Sequence, residues 1–165
     1  MQVLFFPQGN ASEMYGFLQA AMAGGGLAGG MAAGIFSKKL NIQGSWKLLF
    51  VSSLLLLPMG AVLQEGIPVY AAYSVIAVSG LIIMAFASLY TIQIMSYIQL
   101  TTPTALIGKV IAWVIALSTC AQPAGQMIYG FLLERLPHRL WVIFAATAAL
   151  SMLVALWNKN IAERL

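Results

Sequence analysis

The sequence predicts an all-α membrane protein of five transmembrane helices, and three observations lead there. Of 165 residues, 61% are hydrophobic and only 7% charged, whereas a soluble domain carries about 25% charged residues. A water-exposed surface needs a charged shell, and this chain has no Asp and only four acids, Glu13, Glu65, Glu134 and Glu163. The apolar residues are also gathered into five runs near the length of about 20 residues that crosses a bilayer. Polar, Pro- and Lys/Arg-bearing breaks separate the runs.

Residues 1–12, "MQVLFFPQGNAS", are too short to span. They read as a leader or the remnant of a preceding helix, because a signal peptide's basic start and small-residue cleavage site are missing. The transmembrane domain is expected over 13–165. Its first span covers about 13–36 and contains "GGGLAGGMAAGIF". Gly24, Gly26 and Gly29 formally match the dinucleotide fingerprint G-x-G-x-x-G. That motif belongs at a strand-to-helix turn with an acid about 20 residues on. Here the glycines lie inside an apolar run, and no acid stands between Glu13 and Glu65. Small residues let two helix backbones approach closely in lipid. Gly26, Gly30 and Gly34, with Gly24, Ala28 and Ala32, therefore mark a packing helix, and no cofactor is expected.

The second span, about 48–63, is short and carries Pro58. The third, about 69–97, is long enough to tilt or project beyond the bilayer. The fourth, about 110–133, follows "QLTTPTALIGK", and the fifth, about 140–157, precedes the tail "NKNIAERL". Basic loops stay on the cytoplasmic side. With five alternating spans, one side collects Lys38, Lys39, Lys47, Lys109, Lys159 and Arg164, and the other Arg135, Arg139 and three of the four acids. The expected topology has the C-terminus cytoplasmic and the N-terminus outside, in a cell (inner) membrane. Basic residues divided among short loops offer phosphates no continuous surface, so the +4 net charge does not indicate nucleic acid. Five spans with an outside, signal-less start suit the tail of a longer protein.

Polar residues inside the spans carry the functional reading. The fourth span bears Ser118, Gln122, Gln126 and Tyr129, spaced four, four and three, hence on one helical face. The third bears Ser79, Phe86, Tyr90, Gln93 and Tyr97 at similar spacing, and the first bears Gln19. Amides turned toward hydrocarbon lose their partners at a cost of several kcal/mol. These side chains should face either a wet cavity or a neighbouring helix. Pro123 removes one backbone hydrogen bond, so with Gly125 it marks a kink or a hinge.

Two stretches resemble the C-terminal half of a major facilitator superfamily transporter of the drug and macrolide efflux type. "EMYGFLQAAMAGGGLAGGMAAGIFSKKL" is similar to the eighth helix of twelve and the loop after it. "LTTPTALIGKVIAWVIALSTCAQPAGQMIYGFLLERL" is similar to the loop before the eleventh helix and that helix itself. The family's Pro and Gly–basic–Val step appears as Pro103 and Gly108-Lys109-Val110, and its later Pro–x–Gly and Gly as Pro123, Gly125 and Gly130. The resemblance implies spans corresponding to helices eight to twelve and efflux of small amphipathic compounds. It makes Gln19, Ser79, Tyr90, Gln93, Ser118, Gln122, Gln126 and Tyr129 candidates to line a substrate cavity. It also implies dependence on a missing N-terminal half or another chain. The family's cytoplasmic loop motif, a Gly followed by an acid and basic residues, is echoed only as Gly34, Ser37, Lys38 and Lys39, with Ser37 in place of the acid. That departure weakens the motif's ion-pair gating role here.

No acid, base or His lies mid-span, so no proton relay is visible in these residues. His138 and Cys120 are singletons that offer neither a catalytic pair nor a metal site. Asn10-Ala11-Ser12 matches a glycosylation acceptor but lies too close to the membrane. An integral-membrane enzyme lacks its chemistry here, and the chain is not expected to be one. A small polytopic scaffold or assembly subunit without transport is the alternative function.

Overall fold

In a computed structural model, described for residues 11–36, 44–63, 67–135 and 140–162, the chain forms five α-helices. They are α1 (Ala11–Phe36), α2 (Ser45–Ala61), α3 (Val69–Thr101), α4 (Ile107–Arg135) and α5 (Leu140–Ala162). α1, α3, α4 and α5 cover the apolar runs read from the sequence, with a few residues added, whereas α2 begins before the run expected at 48–63 and ends at Ala61, short of it. The readings that fall on residues 1–10, Ser37, Lys38, Lys39 and His138 lie outside the described residues.

Proline sets several boundaries. Pro68 immediately precedes α3 and accepts the Ala72 amide at 3.0 Å, starting the helical ladder. At the other end, Pro103 forces its predecessor out of the helical region. Thr102 is accordingly extended, at φ −93° and ψ 132°. The Pro103 carbonyl then accepts the amides of Leu106 and Ile107, which leads the chain into α4. Pro58 lies in the last turn of α2, where its carbonyl accepts the Val62 amide at 3.1 Å.

α1 runs parallel to α3. Met14 meets Tyr73 near their starts, Met22 meets Gly80, and Gly29 meets Ala85 further along. α2 runs antiparallel to α5, with Gly60 against Phe144 at one end and Trp46 beside Lys159 at the other. α3 and α5 are parallel and joined by Tyr90–Asn158, while α4 and α5 form an antiparallel pair joined by Tyr129–Thr147. Helix direction therefore alternates along the chain. This puts Lys47, Lys109 and Lys159 at one end of the bundle and Glu13, Glu134 and Arg135 at the other.

Large apolar side chains dominate the exposed surface. The buried apolar residues are Ala33, Ala72, Ile143, Ala148 and Ala155, nearly all small, whereas Leu27, Ile35, Leu100, Met127, Leu150 and Trp157 are more than two-thirds exposed. A soluble fold buries its large apolar side chains. α3, α4 and Leu140–Asn160 of α5 are long and apolar enough to cross a membrane, the mark of a multi-pass membrane protein. α1 and α2 fall short of that criterion for different reasons. α1 has 26 residues but is diluted by glycine, and α2 has 17 residues, about 26 Å at the helical rise. Hydroxyls within the helices bond back to the preceding turn: Ser52, Ser53, Ser74, Thr91, Ser118 and Thr147 each donate to the carbonyl four residues earlier. Such back-bonding lets a hydroxyl sit among apolar groups without an external partner.

Candidate functional site

Close approach of α1 and α3 is set by glycine, one residue earlier than the expected stripe. A Cβ at Gly25 would overlap the Leu81 carbonyl oxygen and lie 2.8 Å from its carbon. One at Gly29 would overlap the Ala85 carbonyl oxygen and lie 2.9 Å from its carbon. Ala33, one turn further, is buried. Gly26 makes an ordinary contact with Ser88 Oγ, whereas Gly30 and Gly34 have nothing within 4 Å. Those two, expected at the packing seam, face away from it. On α2, Ser45, Ser53 and Gly60 are the buried residues, and a Cβ at Gly60 would lie 2.7 Å from Phe144 Cβ of α5. Small residues therefore close two of the helix contacts.

The cavity candidates separate into three environments. Ser79 is buried beside Gly80 in the body of the bundle. Tyr90 is part-buried and its hydroxyl accepts from Asn158 Nδ2 at 3.1 Å, tying α3 to α5. Gln93, one turn further, holds a buried Oε1 with no hydrogen-bond partner. Gln19 is exposed and donates to the Tyr15 hydroxyl on its own helix at 2.9 Å. Phe86 and Tyr97 are part-buried on α3.

α4 is different. Among the described residues it has no buried residue and packs only loosely on α3 and α5. Ser118 bonds back to Val114, and Tyr129 shares a 2.8 Å hydrogen bond with Thr147 of α5. Gln122 and Gln126 are exposed, and no hydrogen bond involves either among the described residues. Pro123 and Gly125 lie within a helix that continues unbroken to Arg135. Gly125 and Gly130 have open space where a Cβ would be. Gly108 and Lys109 are exposed in the first turn.

The structure thus joins Tyr90 to Asn158 and Tyr129 to Thr147, and both partners on α5 escaped the sequence reading. Asn158 and Thr147 are polar interruptions in an otherwise apolar helix, which was the available signal. No hydrogen bond links the α4 set to Gln19, Ser79, Tyr90 or Gln93 among the described residues. The candidates of α4 therefore form an open face, not one wall of a closed pocket. No group of three His, Cys, Asp or Glu side chains is placed to hold a metal among those residues. No protein-family model matches the chain, and comparisons with curated proteins and with solved structures return no match.

Proposed function

We propose that these five helices span a cell membrane as most of one six-helix half of a major facilitator-like transporter. Its substrates are small amphipathic compounds exported when this half is joined to an N-terminal half. The reading rests on the resemblance above and on one structural observation, the isolation of α4. A helix face that carries two amides, exposed among the described residues, is costly to leave against hydrocarbon. A second protein surface or a water-filled pathway removes that cost. Facilitators bind substrate near the midplane between two halves that rock against each other, and α4 is the helix with the polar side chains for that position. The alternation of helix direction, with Lys47, Lys109 and Lys159 at one end, supports five spans with the C-terminus cytoplasmic. On this reading α1 and α2 cross as well. α1 is held by its glycine contact with α3, and α2 is shielded by α3 and α5.

Gln122 provides the test. In a chimera with an N-terminal half, Gln122→Leu should change the substrate profile by several-fold for at least one compound. The folded amount should stay near that of the parent, since Leu suits the membrane at least as well as Gln. An unchanged profile with reduced folded yield would instead identify Gln122 as a helix-packing residue and remove it from the pathway.

A further inference from the structure

One polar atom stands out among the described residues. Gln93 Oε1 on α3 is buried and accepts no hydrogen bond. A buried acceptor without a donor has lost its hydration with nothing in return. Native structures give such atoms a partner, often an ordered water. A matching donor stands one turn earlier. Tyr90 and Gln93 are three residues apart and share a face of α3, with Cβ atoms about 5–6 Å apart. The Tyr90 hydroxyl accepts from Asn158 Nδ2 at 3.1 Å, which leaves its own O–H to donate. That proton has no acceptor among the described residues, and Asn158 Oδ1 accepts no hydrogen bond among them either. The nearby Thr91 hydroxyl cannot serve Gln93, because it is committed to the Ala87 carbonyl.

Helix packing leaves room at this point. α3 and α5 each pack on α2 and not closely on each other. The Tyr90–Asn158 bond therefore spans two separated backbones through long side chains. A molecule that completes the cluster must accept from the Tyr90 O–H and donate to Gln93 Oε1. An ammonium only donates and a carboxylate only accepts, so neither fits. The partner must also be small, because Gln93 Oε1 is buried. We propose that one water molecule is bound between α3 and α5, accepting from the Tyr90 hydroxyl and donating to Gln93 Oε1 and Asn158 Oδ1. About three hydrogen bonds are the usual complement of an internal water. The site makes Tyr90, Gln93 and Asn158 one joint, near the end of the bundle that bears Lys47 and Lys159. It ties α5 to α3 where their backbones do not meet. The proposal is independent of transport.

The experiment uses the full chain in lipid bilayers, with carbon-13 at the side-chain carbonyl of glutamine and the methyl of alanine. The Gln93 signal is identified by its loss in Gln93→Met. Magnetisation transferred from water in solid-state NMR then reports whether water touches that carbonyl. Transfer to Gln93 should be strong although its oxygen is buried, and Tyr90→Phe should weaken it. Stability to a denaturing detergent gives a second readout. Tyr90→Phe and Gln93→Met should each weaken the folding equilibrium about two- to tenfold, the span of an ordinary hydrogen bond. The double variant should lose little more than Tyr90→Phe alone, because the bridge is already broken without that hydroxyl. Tyr97→Phe, on the same face of α3 but outside the bridge, should leave both readouts near the parent. Transfer to Gln93 no greater than to the buried Ala155 methyl would overturn the proposal. So would additive losses in the double variant, or a more stable Gln93→Met, the result expected of an acceptor with no partner at all. A loss of transfer from Tyr97→Phe equal to that from Tyr90→Phe would place the donor elsewhere and also overturn it. The transfer measurement on the parent chain decides the matter if a variant does not fold.

Discussion

Gly25→Leu and Gly29→Leu should each abolish most of the correctly folded protein, while Gly30→Leu and Gly34→Leu should leave it near the parent level. At the first two positions a side chain meets backbone of α3, at Leu81 and Ala85, with carbonyl carbons 2.8 and 2.9 Å from the new Cβ. Backbone cannot rotate aside as a side chain can, so the helices must part. Overpacking a contact ordinarily costs about 1–3 kcal/mol, and here the cost should lie at or above the top of that range. α1 has no second extensive contact to compensate, because it packs chiefly on α3. At Gly30 and Gly34 nothing lies within 4 Å. Monodisperse yield after detergent extraction, with unfolding followed by titration of a denaturing detergent, distinguishes the two pairs. Equal losses from Gly25→Leu and Gly30→Leu would mean that α1 meets α3 through a different face.

The second large effect is all-or-none. A reporter active only in the cytoplasm should work when fused after Lys47, after Lys109 or at Leu165, and fail after Glu65 or Pro137. The structure contributes the geometry: α2 and α4 begin at the end of the bundle where α5 finishes, and Lys47, Lys109 and Lys159 share that end. Lysine-rich ends are retained inside. The inverse pattern would reverse the orientation. Activity after both Lys47 and Glu65 would mean that the 17-residue α2 does not cross, leaving the long apolar helices α3, α4 and α5 as the spans.

Which parts of this were legible in the sequence follows from local physics. Apolar run length and proline gave all five helices, and the extended Thr102 is what Pro103 demands of its predecessor. The packing register of α1 was not legible. Positions 24/28/32, 25/29/33 and 26/30/34 are all Gly or Ala, so smallness alone cannot choose among three adjacent faces. The surfaces of Leu81 and Ala85 make that choice, and they lie more than 50 residues away in the chain. Tyr90–Asn158 was hidden for the same reason, being 68 residues apart. The burial of Ser79 was not readable from spacing, because a buried serine and an exposed one share the same helical period. The one-sided polar face of α4 was readable from the spacing of Ser118, Gln122 and Gln126, but its isolation from the rest of the chain required the structure.

Vesicle transport tests the central claim most directly. The purified chain is reconstituted alone, and also joined to the N-terminal half of a facilitator-type exporter, with a drug-like dye as substrate. A single half provides one wall of a pathway. The chain alone should therefore give dye movement indistinguishable from empty vesicles, and the joined protein should give saturable movement. Saturable transport by the chain alone, with cross-linking that traps no second copy around the pathway, would contradict the account.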